Sequence, residues 1–276
     1  MEITYHGFFL CKKGTFVSVR NVVGSVWRGR GTLVAMLLAA SLVGACKNES
    51  TPVAPEAPKL EIPVYVLNLP DPSTSSDMVM IREKFRKNGL TPLAERVWSD
   101  MKPARYMVVF SKSGDDVHAA SAQVGALVAE YSEEFNRWDV VAESLSFSEE
   151  GSWGSAPSPT FLRLGPNKVG FMMESSVTAQ GYIEGGVSVY GVIGKQFVQM
   201  LSLPSLANNG GTGDEEYTMS TRLFQVADPS QEFYPIRAEL KIAGKRTVAE
   251  EERFLKVFGD KTQLDFVFKD GVFVRK

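Results

Sequence analysis

The chain has 276 residues, 44% of them apolar and 22% charged, with a formal net charge of −2. Such a composition belongs to a globular protein and excludes a wholly disordered chain, a collagen-like repeat and a bundle of membrane spans. Two cysteines are too few for a disulfide scaffold, and without a basic excess no nucleic-acid partner is expected.

Residues 1–46 read as a leader rather than as part of the fold. Arg28 and Arg30 precede an apolar run from Thr32 to Ala45. The run is shorter than the ~20 residues a membrane-spanning helix needs. It has the order of a secretory signal, charge first and apolar stretch second. It closes on Leu42-Val43-Gly44-Ala45-Cys46, where small residues admit a peptidase to the backbone and a thiol is available for alkylation. Residues 28–46 resemble the signal of bacterial lipoproteins, whose lipobox ends in a small residue followed by cysteine. Val43 stands where leucine is commonest in that family. The resemblance implies that Cys46 carries a diacylglyceryl thioether, that residues 1–45 are removed and that the new amino terminus is acylated. It thereby implies the lipid bilayer as a partner. Lys47, rather than aspartate, follows the cysteine, which by the family's sorting rule favours the outer membrane. Residues 1–27 would make an unusually long basic region, and a start at Val26 accounts for them most simply.

Removal of residues 1–45 takes away five basic residues and one acid, moving the formal charge to −6. That balance favours solubility and opposes electrostatic docking on anionic lipid. It also leaves one cysteine, itself the lipidation site, and one histidine, His118. A cysteine nucleophile and a Cys/His zinc site are therefore not expected.

Residues 46–63 read as a tether. Pro52, Pro55, Pro58 and Pro63 favour extended polyproline backbone at ~3.1 Å per residue, a semi-rigid spacer of about 50 Å. Residues 64–276 then form a single β-rich globular domain with a small helical lobe at its start. Val64–Leu67 is a short strand. Residues 77–88 are a helix, capped by Ser76 and stopped at Asn88-Gly89. Thr91-Pro92 supplies a cap and a first-turn proline for a second short helix to about Trp98.

From Arg105 the period is two. Strands are expected at 106–110, 127–131, 138–142, 161–164, 169–173, 187–190, 197–201, 218–226 and 234–242. The turns between them carry Gly, Asn and Pro, as in Gly165-Pro166-Asn167-Lys168. Thr247-Val248-Ala249-Glu250 is a capping box that opens a helix over 248–258. The last hairpin, Leu264–Lys269 and Val272–Lys276 around Asp270-Gly271, is a type I′ signal. Its register puts Phe268 opposite Phe273, and Asp265 opposite Lys276 on the other face. The hairpins lack the regular 40–50-residue period of a propeller. The fold class is mainly β, an antiparallel meander closing as a sandwich or incomplete barrel, with a few peripheral helices.

Catalytic signals are sparse. His118 follows Ser113-Gly114-Asp115-Asp116, which reads as a loop rather than part of a triad. Gly151-Ser152-Trp153-Gly154-Ser155 is out of register for a nucleophile elbow and reads as a bend, with Trp153 plugging the edge of the core. Ser99-Asp100-Met101-Lys102 matches a Ser-Lys spacing but lies at the end of the expected second helix, with Pro103 next. Gly210-Gly211-Thr212-Gly213 lacks the lysine of a phosphate-binding loop. The polar stretch 208–216 offers candidate calcium ligands in Asn208, Asn209, Asp214, Glu215 and Glu216, without EF-hand spacing. In Gln180–Gly186 the glycines are expected to permit a bulge. Glu149-Glu150 and Glu250-Glu251-Glu252 are expected to face water.

The expected function is that of a non-catalytic binding module of the cell envelope, moored by lipid, whose partner is a protein or glycan. The alternative is an envelope hydrolase working through two carboxylates, a chemistry that needs no histidine.

Overall fold

The computed structural model describes residues 69–117, 120–209, 216–244 and 248–276. The leader, Cys46, the tether, the strand expected at 64–67, His118, Thr247, Asp214 and Glu215 lie outside the described residues.

Two antiparallel sheets make the fold. After a short 3-10 turn at Pro72–Thr74 comes α1 (Ser76–Lys87), with Asp77 in its first turn and Lys84, Arg86 and Lys87 in its last. This charge order matches the helix dipole at both ends. The small sheet follows as β1 (Thr91–Trp98), β2 (Arg105–Lys112), β3 (Ala122–Ser132) and β4 (Arg137–Glu150), paired in chain order. The large sheet is an eight-stranded meander. It runs through β5 (Thr160–Gly165), β6 (Lys168–Ala179), β7 (Tyr182–Ile193), β8 (Gln196–Asn208), β9 (Tyr217–Gln225), β10 (Ile236–Gly244), β11 (Gln263–Lys269) and β12 (Val272–Arg275). The second helix, α2 (Val248–Phe258), is inserted between β10 and β11. The fold is mainly β, as the alternating pattern predicts.

Three apolar clusters hold the layers together. Between the sheets, Met107, Val109, Val124, Ala126 and Val128 of the small sheet meet Phe171, Met173 and Tyr190 of the large one. Phe147 of β4 bridges the gap, its ring 5.3 Å from Phe197 and 5.2 Å from Tyr190. Outside the small sheet, Met78 and Phe85 of α1 bury against Tyr106, Val108, Phe110 and Trp138, with Phe85 stacked on Phe110 at 4.1 Å. The rest of the large sheet packs on Phe254 and Phe258 of α2.

The final hairpin adopts the expected register. Phe268 is opposite Phe273, and Asp270 and Gly271 take φ of 50° and 94°. Both rings meet Phe233, with Phe268 stacked on it at 3.8 Å. The Lys276 amide donates to the Asp265 carbonyl at 2.9 Å, but the Asp265 carboxylate is taken by Arg237, which donates from Nε at 2.8 Å and Nη2 at 3.2 Å. A bulge does occur at Gly185/Gly186 in the β7–β8 ladder.

One expected element is overturned. Residues 91–98 are strand β1 rather than a second helix, so the helical lobe reduces to α1 and the turn before it. Thr91 and Pro92 are not a helix cap and first-turn proline: they open an edge strand. Proline has no N–H to give a ladder and is tolerated at the start of an edge strand. The pairing with β2 shifts by one residue between Pro92 and Ala94, which absorbs it. Pairing along β2 and burial of Trp98 (4% exposed) outweigh the helix propensity of Leu93-Ala94-Glu95-Arg96. Consequently Ser99–Lys102 lies in the β1–β2 connection and not at a helix end.

Candidate functional site

Four stretches singled out by the sequence come together at one end of the strands. The β2–β3 connection joins the β4–β5 connection through Gly114 N–H to the Gly154 carbonyl, 3.0 Å, and Gly154 N–H to the Ala120 carbonyl, 2.9 Å. Ser152 Oγ reaches the Ser176 carbonyl on β6 at 3.5 Å, close to the β6–β7 turn at Gln180-Gly181. Across β7, Ile183 pairs with Asn208, which brings the start of the β8–β9 connection to the same end. Here Asn208 Nδ2 donates to Thr218 Oγ1 at 2.9 Å, and the buried Asn209 accepts from the Tyr217 N–H through Oδ1 at 2.8 Å. These two amides thus brace the base of their hairpin. Glu216 is exposed.

Residues 151–155 form a loop with one available shape. A Cβ on Gly151 would lie 1.8 Å from the Ser155 carbonyl oxygen, and one on Gly154 would lie 2.7 Å from the carbonyl oxygens of Gly114 and Asp115. Both glycines take positive φ, and so does Trp153 between them, at 54°. Left-handed backbone is costly for a bulky side chain and tends to be retained where a site needs it. Trp153 does not plug the core edge as expected. The Ser152–Ser155 bridge closes the turn beneath it and leaves the indole 55% exposed. Val177 and Tyr182 on the adjoining β6–β7 hairpin are also exposed, at 40% and 38%. Exposed Trp and Tyr on rigid backbone are the side chains that anchor binding interfaces.

Below this loop, β4 is fastened to the large sheet by a carboxylate. Glu149 and Glu150 are consecutive strand residues and project to opposite faces. Glu149 is exposed and accepts from Ser121 Oγ at 3.2 Å. Glu150 turns inward instead of facing water. It accepts from Tyr190 Oη and Ser148 Oγ through Oε1, and from Ser175 Oγ through Oε2 at 2.7 Å. Ser148 Oγ and Tyr190 Oη are also 2.8 Å apart. Burial, and then the bond to Glu150, push the Tyr190 phenol up to about 12, so at neutral pH it stays protonated and acts as a donor. A carboxylate held by three hydroxyls is a structural clasp, and opposed strand faces deny it Glu149 as an acid/base partner.

A second clasp fixes α1. Arg82 donates to both Glu95 of β1 and Tyr106 of β2, and Tyr106 Oη donates to Glu95 Oε2 at 2.5 Å. Burial, followed by the bond to Glu95, raises the Tyr106 phenol well above its usual range.

Two of the cavities lined by the described residues bear on the carboxylate question. One, of about 160 Å³, lies between α2 and strands β9 and β10, with Asp260 as its one carboxylate. The other is an open groove of about 590 Å³ between α1 and β4, with Glu143 as its one carboxylate. Neither presents the two facing carboxylates that glycoside hydrolysis requires. Among the described residues no cluster of three or more His, Cys, Asp or Glu is placed to hold a metal ion, and no helix is long and apolar enough to cross a membrane. Comparison with protein-family models, with curated proteins and with solved structures finds no match.

Sequence reasoning missed the inward turn of Glu150 and the outward turn of Trp153. A signal for the second existed in the two glycines flanking the tryptophan. None existed for the first, since two of its three hydroxyl partners, Ser175 and Tyr190, come from β6 and β7.

Proposed function

We propose that this protein is a lipid-anchored binding module of the bacterial cell envelope, and that the end carrying Trp153, Val177 and Tyr182 is its binding surface. The observation that carries this reading is the disposition of the two ends of the strands. Leu69-Pro70, the first of the described residues, is held where Trp138 Nε1 donates to the Pro70 carbonyl at 3.0 Å beside the β3–β4 turn. The described parts of the β2–β3 connection (113–117 and 120–121), the loop at 151–159 and the β6–β7 turn lie at the opposite end of the same strands. A chain moored through Cys46 and a proline-rich tether upstream of Leu69 would leave these loops open to a partner. The partner is a protein or glycan of the envelope.

The test has two measurements. Mass spectrometry of the membrane-extracted protein is expected to find a diacylated Cys46 at the new amino terminus. An unmodified thiol with the leader attached would sink the anchor. Cross-linking in intact cells is expected to join the parent protein to one partner, and Trp153→Ala to lose that product at unchanged abundance. An identical product pattern from the variant would remove this surface from the function.

A further inference from the structure

The groove between α1 and β4 has the character of a lipid site. Its apolar wall is made by Met80 and Ile81 of α1 and by Val140 and Val141 of β4. Its volume of about 590 Å³ falls within the ~300–1,000 Å³ of small-molecule sites. Met80 and its neighbour Val79 are 65% and 50% exposed, an unusual cost for a short helix with only Met78 and Phe85 fully buried beneath it.

The polar side of the groove is cationic. Lys84 and Lys195 stand on it. Lys84 is committed to Glu143 at 2.6 Å, whereas Lys195, exposed in the β7–β8 turn, has no ion pair among the described residues. Lys87 follows Lys84 at the end of α1, and Arg86 is balanced by Glu83. One acid and one paired lysine thus leave a local positive excess, on a chain whose overall charge after removal of the leader would be −6. Val140 lies two residues from Trp138, which holds the Pro70 carbonyl, so the groove opens beside the first described residues of the chain.

We infer that this groove takes an anionic phospholipid of the bilayer, with one acyl chain along Met80, Ile81 and Val141 and the phosphate between Lys195 and Lys84. Snorkelling lysines over an apolar stripe are how interfacial helices hold such lipids. The inference rests on the anchored reading only for the nearness of the bilayer; the affinity itself is a property of the groove.

The full chain carrying Cys46→Ala, which cannot be lipidated, is mixed with vesicles of phosphatidylglycerol and phosphatidylcholine, or of phosphatidylcholine alone, and sedimented. Parent binding is expected to favour the anionic vesicles. Lys195→Gln is expected to weaken that binding about fivefold, the factor one lysine contributes near an anionic surface, and to leave binding to neutral vesicles unchanged. Met80→Ser is expected to weaken binding to both. Both side chains are exposed, so neither change disturbs packing, which unchanged circular dichroism would verify. The leader is present in every variant and cancels from the comparison. Equal sedimentation with the two vesicle types, an unaltered Lys195→Gln, or an unaltered Met80→Ser would overturn the inference. An unmodified Cys46 in cells would sink the anchor without touching this result.

Discussion

Tyr190 shows how one side chain can decide whether two sheets stay registered. It is 1% exposed, stacks on Phe171 at 5.3 Å and gives its only proton to Glu150. Tyr190→Phe keeps the ring and leaves the carboxylate one donor short. The expected cost is about 1–3 kcal/mol, read as a lowered denaturation midpoint. The phenol's titration has a definite sign. Its pKa in the folded protein, about 12, lies above the usual 10.0, so the folded state holds the proton more tightly. The contribution is complete below about pH 10 and is lost as the pH rises towards 12. Stability measured across that range is expected to fall more steeply in the parent than in Tyr190→Phe. Tyr106 is present in both proteins, so the difference isolates Tyr190. Parallel curves would refute the clasp.

At the scale of elements, turns divide into those that need only a backbone conformation and those that also need space. Gly271 has φ of 94°, and a Cβ added there would meet nothing within 4 Å. Gly271→Ala is therefore expected to cost only the left-handed penalty of about 1–2 kcal/mol. Gly151, at φ of 87°, would place its Cβ 1.8 Å from a backbone oxygen. Gly151→Ala must displace the loop and is expected to cost clearly more, while also altering the fluorescence of the exposed Trp153. Equal costs in thermal unfolding would show that the 151–155 loop yields easily and is a poor platform. The elements also divide by legibility. Hairpins announced themselves through Asp-Gly and Pro-Asn turns and through period-two burial, and α2 through its capping-box pattern. β1 did not, because its helix-forming residues compete with a pairing partner that sequence reading cannot weigh. Local propensity amounts to tenths of a kcal/mol per residue, and the strand wins by burial of Trp98 and by ladder bonds to β2.

At the scale of the whole molecule, the meander buries both of its faces and so needs two partners. Along β6 and β7, Phe171, Met173 and Tyr190 face the small sheet, while the alternating Met172, Val187 and Val189 belong to the cluster of Phe254 and Phe258 of α2. Strands β6 to β8 belong to both regions, which couples them. Phe171→Ala, at a fully buried site, is expected to cost about 3–5 kcal/mol. Because both apolar clusters draw on those strands, the loss is expected as one transition at a lower midpoint, seen together by far-ultraviolet and near-ultraviolet signals. Two separated transitions would mean that the sheets fold independently.

The amino-acid order by itself determined the β-rich class, the positions of most turns and the register of the last hairpin. These depend on neighbours within a few residues: alternation sets the buried face, and Gly, Asn or Pro sets the local φ. The leader-and-lipobox reading at Cys46 likewise rests on contiguous residues alone. Only the tertiary structure decided that residues 91–98 pair as a strand, that Glu150 turns inward while Trp153 turns out, and that stretches as far apart as Gly114, Gly154, Gln180 and Asn208 share one end. Each of those outcomes is set by contacts between residues far apart in sequence, where burial and hydrogen bonding across strands exceed any local preference.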